Sequence, residues 1–269
     1  SEVKKRNIPI LTRTKMTRLF VKFNEQLEFD TKVVAGVEAS TGKGKKIKIK
    51  SRKGVVITTG GFAGDPGMID RYSPMYMGAL TQAPAGCTGA GLVQAMRFGA
   101  DCTHLNFVGS YPLGMQVAQG TRNGVFCRSY NFTNSGGILV NKGGIRFVLE
   151  DMPPTKITDY QVKQTDKAMY AICDSTMWEA GNSASAPAVI GWSKEEFIAA
   201  VKKGTVGAEA NSIEELAGKV GIDRAGLKKT VSEYNSFVEK KQDPAFGRSA
   251  KAMKAKIEKP PFYAITTFP

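Results

Sequence analysis

"GVVITTGGFAGDPG", residues 54–67, runs a β-branched stretch from Val55 to Thr59 straight into Gly60, Gly61 and Phe62. Valine, isoleucine and threonine favour a strand. The glycines that follow carry no side chain able to do chemistry. They would let a flat ligand lie close against the backbone with no Cβ in the way. Taken alone, the same pair also fits a plain turn between a strand and a loop.

Upstream, the chain from Ile8 to Thr59 reads as short strands: "PILTRTKMTRLFVKF", "TKVVAGVEA", "KKIKIK" and "GVVITT", separated by "NEQ" and "STGKGK". This is the pattern of a β-meander. Downstream, "CTGAGLVQAMRFGAD" has loop glycines followed by Leu92, Val93, Ala95 and Met96, spaced as one apolar helix face and stopped by Gly99. Residues 107–135 are rich in Gly, Ser and Asn and read as a crossover into a second unit. That unit opens with "GGILVNKGGIRFVLE", two strands around Asn141–Gly144, and adds the strand "AMYAICD". Ser193 with Glu196, and Ser212 with Glu215, have the spacing of capping boxes. Asp223 opens a third helix with Leu227, Val231, Tyr234 and Val238 on one face. "KPPFYAITTFP" is a last strand with no evident partner.

With 269 residues, 42% hydrophobic and 23% charged, the chain has a globular composition and the size for one large domain or two ordinary ones. No apolar stretch approaches the roughly 20 residues that cross a bilayer. The net charge of +14 is densest in "KGKKIKIKSRK", Lys43–Lys53. There Ile47 and Ile49 alternate with Lys46, Lys48 and Lys50, the period of a strand with one wet face. No aromatic residues are interleaved to stack bases, so the charge reads as a solvated hairpin arm, not a nucleic-acid site. Cys87, Cys102, Cys127 and Cys173 form no C-x-x-C pair, and His104 is the only histidine, which argues against a zinc site. His104 reads as a satisfied, partly buried residue.

Four stretches together resemble the FAD-dependent fumarate reductase and succinate dehydrogenase flavoprotein family, in its soluble flavocytochrome c and 3-ketosteroid dehydrogenase branch. "GVVITTGGF" looks like the family's strand ending in a Thr-Gly-Gly-Phe turn, and "GCTGAGLVQAMRFGAD" is similar to its Thr-Gly-Asp-Gly loop and helix. "GGILVNKGGIRFVLE" resembles the start of its mobile capping domain, and "SIEELAGKVGIDRAGLKKTVSEYNSFVEKKQDPAFGR" with "PPFYAI" resembles its helical end. The resemblance implies an α/β and α+β fold: part of an FAD-binding domain, Rossmann-like and of glutathione-reductase type, with an inserted α+β capping domain. The boundaries it implies are 1–109 for the partial FAD-binding domain, 110–260 for the capping domain, and 261–269 as a strand returning to the FAD-binding domain. Members also carry an N-terminal G-x-G-x-x-G turn for the pyrophosphate and a closing FAD-binding segment. Neither is recognisable here, so the chain reads as a central piece.

By the resemblance, Val33 meets the adenosine part of FAD through its backbone, Thr59, Gly60 and Gly61 line the cofactor, and Thr88 and Gly89 line its middle. Ala90 stands where the family usually has Asp. Pro154 falls at the position of the acid-donating Arg, Tyr111 at a carboxylate-binding His, and Ser129-Tyr130 at a Thr-Glu pair. Lys156, two residues from the Arg position, is a loosely aligned cation. A short dicarboxylate needs matched cations, so the expected substrate is a small unsaturated molecule other than fumarate, with Tyr111, Ser129 and Tyr130 as its contacts. The expected activity is FAD-dependent hydride transfer to or from a C–C bond conjugated to a carbonyl or carboxylate. The alternative is a degenerate member acting as a non-catalytic binding or scaffold module.

Overall fold

The structure, a computed structural model, describes residues 2–23, 32–118, 120–183 and 185–269. The "NEQ" connection lies outside the described residues. The strands are β1 Thr14–Phe23, β2 Lys32–Thr41, β3 Lys46–Lys50, β4 Gly114–Gln116, β5 Gly124–Phe126, β6 Ile138–Val140, β7 Met169–Cys173, β8 Gly207–Ala210 and β9 Phe262–Thr267. The helices are α1 Glu2–Lys5, α2 Pro66–Tyr72, α3 Ala90–Arg97, α4 Tyr130–Thr133, α5 Pro154–Gln161, α6 Ser175–Asn182, α7 Lys194–Lys202, α8 Ile213–Val220 and α9 Arg224–Lys240. They fall into two units.

The first unit comprises Ser1–Asp65 and Ala85–His104. Its sheet is the antiparallel meander β1-β2-β3. Pairing of Val37 with Leu19 and Ile49, and of Glu38 with Arg18 and Lys48, separates an apolar face from a charged one. Leu19 and Ala39 are buried on the apolar face. α3 starts at Gly89, in the left-handed region, and Gly99 ends it in the same region at φ 91°. The helix buries Gly91 and Gln94, with the expected Leu92, Val93, Ala95 and Met96 only half-buried beside them. The expected strand at Val55–Thr59 does not form: the segment joins no ladder among the described residues, and Val56 is 87% exposed. Strand propensity without a neighbouring strand to accept its hydrogen bonds does not produce a strand.

The second unit comprises Pro66–Pro84 and Leu105–Pro269. Its main sheet has the order β6-β7-β9-β8, antiparallel throughout, and β4-β5 form a separate two-stranded ribbon. Ser193 and Glu196 make the full reciprocal capping box on α7. On α8, Ser212 accepts from Glu215 N–H as expected, but the Glu215 carboxylate reaches back to Asn211 N–H instead. Asp223 caps α9 through Gly226 N–H at 2.6 Å. Trp178 anchors the core, stacked on Tyr263 at 4.1 Å, Phe132 at 5.1 Å and Phe197 at 5.4 Å between ring centroids. Truncating an aromatic in such a cluster costs about 3–5 kcal/mol.

Two sequence expectations are corrected here. The second arm of the hairpin at 138–149 shrinks to one bridge, Val140 with Arg146, because Arg146 is drawn into an ion pair with Glu150. The segment 262–267 is not partnerless: β9 pairs with both β7 and β8. Phe262, Tyr263, Ala264 and Ile265 are all buried, as a central strand covered on both faces must be. The chain crosses between units after Asp65, Pro84 and His104, and the second unit takes in 66–84.

Candidate functional site

In the first unit, the Gly60-Gly61 turn and the Thr88-Gly89 loop meet. Gly89 N–H donates to Gly61 O at 3.0 Å, and Gly64 N–H donates to Cys87 O at 2.7 Å, so two backbone bonds clasp the loops together. The Thr88 N–H turns back to Gly86 O. Thr59 and Ile57 pack so closely on Gly91 that a Cβ there would overlap both side chains, which is why α3 begins with that residue bare. Gly60 sits at φ 77°, a conformation that explains its identity, and a Cβ on it would lie 2.9 Å from Cys87 Sγ. Gly61 is different: its backbone is in no region reserved for glycine, and a Cβ would meet nothing within 4 Å. Nothing inside the unit requires Gly61 to be glycine, so the space above its Cα is open to a ligand. Val33 lies in β2, half-buried and opposite Lys22, in the sheet and not in this cradle.

A cavity of about 260 Å³ opens in the second unit. Ser129 and Tyr130 line it from the start of α4, and Pro154 from the start of α5, so two segments separated in sequence come together. Ser129 is only 2% exposed, and its hydroxyl makes no capping hydrogen bond to α4. Tyr111 does not reach the lining, although Pro112 does, and it stands 47% exposed. Lys156 is absent from the lining as well; it points to solvent near Asp159, 3.6 Å away. The wall holds no Lys, Arg or His, but two carboxylates, Glu150 and Asp151.

Sequence reasoning missed those carboxylates and what holds them. Arg146 grips Glu150 with two nitrogens, at 2.9 and 2.8 Å, and Asp243 at 2.9 Å. Arg248, wholly buried, bonds Asp151 at 3.3 Å, Tyr234 Oη at 3.1 Å, and the carbonyls of Gly137 and Thr133. Its partner Thr133 is itself part of the cavity wall. Arg146 holds the Asp243 carboxyl below its ordinary range against the opposing pull of burial, and burial pushes the Tyr234 phenol up to about 12. The one local hint was the Arg146–Glu150 spacing; the other partners lie too far along the chain to be paired by eye.

Among the described residues no group of His, Cys, Asp and Glu could hold a metal ion, and the four cysteines are free. Burial pushes the Cys127 thiol up to about 12 and Cys173 well above its usual value, so both are inert core residues. No helix among the described residues is long and apolar enough to cross a membrane.

Comparisons with known proteins bear on the family and the fold. The chain is 30% identical over 267 residues to an NADH:fumarate oxidoreductase of Klebsiella pneumoniae (strain 342), covering 99% of the chain and 26% of the relative. It is 28% identical over 267 residues to an NADH:acrylate oxidoreductase of Vibrio harveyi, covering 97% of the chain and 24% of the relative. It therefore spans about a quarter of the length of these curated relatives. Among solved structures it resembles a 3-ketosteroid Δ1-dehydrogenase from Sterolibacterium denitrificans, with TM-score 0.76 and 22% identity over 99% of the chain and 49% of that protein. It likewise resembles an open flavocytochrome c3 fumarate reductase, with TM-score 0.74 and 24% identity over 99% of the chain and 42% of that protein. These likenesses establish the α/β FAD-binding fold. The FAD-binding domain model matches residues 1–269 from end to end, and the chain belongs to that family, whose cofactor is FAD.

Proposed function

We propose that this chain is part of an FAD-dependent oxidoreductase that moves a hydride between flavin and a C–C bond conjugated to a carbonyl or carboxylate, with fumarate excluded. Support for the chemistry comes from family membership. The observation that carries the substrate reading is the cavity that gathers Ser129, Tyr130 and Pro154 with no cation in its wall. The open space over Gly61 fits a cofactor that must lie against backbone, with Thr59, Gly60, Thr88 and Gly89 as its proposed further contacts. Val33 is another proposed contact, through its backbone. When bound, FAD supplies the hydride chemistry.

The rest falls to the protein. The Tyr130 phenol and the Ser129 hydroxyl hydrogen-bond the carbonyl of the substrate and polarise its double bond. Leu139, Met152, Ile157 and Met169 give the cavity an apolar wall that limits water around the reacting carbons. A dicarboxylate would meet Glu150 and Asp151 with no arginine free to receive it. Tyr111, outside the cavity, is the proposed rim contact.

The test uses the full-length protein. Its visible spectrum reports bound flavin, and an anaerobic assay with reduced viologen compares fumarate, acrylate and 2-cyclohexenone. The reading expects a flavin spectrum and turnover with at least one of the last two. Absence of flavin, or turnover with fumarate at a rate typical of enzymes, overturns it.

A further inference from the structure

The charged face of the β1-β2-β3 sheet is ordered as a grid. The ladder places Lys15, Ser40 and Lys46 in one row, Arg18, Glu38 and Lys48 in the next, and Phe20, Gly36 and Lys50 in the third. Five cations therefore surround one carboxylate. With strands about 4.8 Å apart, the two outer columns stand about 10 Å from each other. Glu38 is tied from both sides, by Arg18 Nε at 2.6 Å and Nη2 at 2.9 Å and by Lys48 Nζ at 3.3 Å. The cations themselves remain open, with the Arg18 and Lys48 side chains 60% and 70% exposed against 18% for Glu38.

A face that only keeps a sheet soluble mixes both signs. Lysines that only protect a sheet edge have no reason to share one face with cations on the opposite outer strand. Here every row ends in a cation on β3, and two rows also begin with one on β1. We infer that this face is a docking surface for an acidic protein partner, one that sets several carboxylates against Lys15, Arg18, Lys46, Lys48 and Lys50. The central Glu38 fixes the register, because the partner must leave a hydrogen-bond donor or a gap opposite it. A nucleic-acid strand suits the face less well: Glu38 would oppose its phosphates, and the Phe20 ring lies against Gly36, where a Cβ would stand 2.6 Å from it, so it offers bases no free platform. Docking of this kind raises association rate and sets orientation more than it adds affinity, and it weakens with salt.

The probe is poly-L-glutamate, titrated against the whole chain at low and physiological salt. Duplex DNA and phosphatidylserine vesicles run in parallel. The variant Lys46→Gln, Lys48→Gln, Lys50→Gln is compared with Lys202→Gln, Lys203→Gln, Lys251→Gln, which removes the same charge from exposed positions of the other unit. The expected result is that polyglutamate binding weakens about tenfold or more in the first variant and stays within about twofold in the second. Amide-exchange protection by polyglutamate on the unaltered chain should fall on 14–20 and 46–50. Equal losses in both variants, protection elsewhere, or tighter binding of DNA or vesicles than of polyglutamate at matched salt would each overturn the inference.

Discussion

Arg146 and Glu150 form a two-pronged ion pair with both side chains almost completely removed from solvent, 5% and 0% exposed. Glu150 also accepts from Leu139 N–H at 3.2 Å, so one carboxylate ties the end of the 138–149 turn back to β6. Removing it strands a buried guanidinium that already has one nitrogen, Nη1, without a partner. Glu150→Ala should therefore destabilise the second unit by about 3–5 kcal/mol. Urea unfolding followed by the fluorescence of the core tryptophan Trp178 measures it. A loss below about 1 kcal/mol would mean that the network relaxes around the gap.

Gly60 and Gly61 should part company on mutation. At Gly60, alanine faces a positive φ and the Cys87 thiol, and should cost about 1 kcal/mol or more of stability. At Gly61 it meets neither, and stability should hold or rise by up to about 1 kcal/mol through the unfolded state. If the space above Gly61 receives the cofactor, Gly61→Ala in the full-length protein should nonetheless lose flavin absorbance. Thermal melting paired with the visible spectrum separates the two effects, and full flavin retention by Gly61→Ala would sink the assignment.

Tyr234 sets an alkaline limit. Its phenol is buried, donates to Gly136 O at 2.8 Å, and has its pKa raised by burial from 10 to about 12. A raised folded-state pKa means a contribution that is complete below the unfolded value and lost as pH climbs through the folded one. Stability should thus be flat up to about pH 10 on this account and decline toward 12, and Tyr234→Phe should blunt the decline. Glu38 acts at the other end: hydrogen bonding to Arg18 lowers it to about 2, so its contribution holds above the usual carboxylate range and fades as pH falls toward 2. Denaturation midpoints across pH, with and without each side chain, decide both.

Fumarate should be a poor substrate for the full-length protein. Pro154 has no proton to give, Tyr111 lies outside the cavity lining, and no cation lines the cavity. Steady-state assay with a viologen donor is the measurement; turnover near the enzyme median of roughly 10 per second would contradict the proposed substrate class.

The helices that cap themselves were legible in the sequence because every partner lies within four residues: Ser193 with Glu196, Ser212 with Glu215 N–H, Asp223 with Gly226 N–H. The seat of β9 was not, because its hydrogen bonds go to β7 and β8, far back along the chain. Nor was the grip of Arg248 on Thr133 and Asp151. Val55–Thr59 shows the opposite error, a sound local propensity with no strand beside it. In the cavity, Ser129 and Tyr130 were reached by resemblance, whereas nothing local singles out Glu150 and Asp151, because Asp243 and Arg248, which complete the network around them, lie about a hundred residues away.

The position of β9 between β7 and β8 also imposes an order on assembly. β8 touches the sheet only through β9, so while the chain leaves the ribosome, residues 207–210 stay without a strand partner until 262–267 have emerged. A newborn chain can fold α8 on α9 early, from contacts local in sequence. It must hold Gly207–Ala210 and the outer edge of β7 bare until the closing strand arrives, and that interval is when this unit is most exposed to wrong pairing with a neighbour.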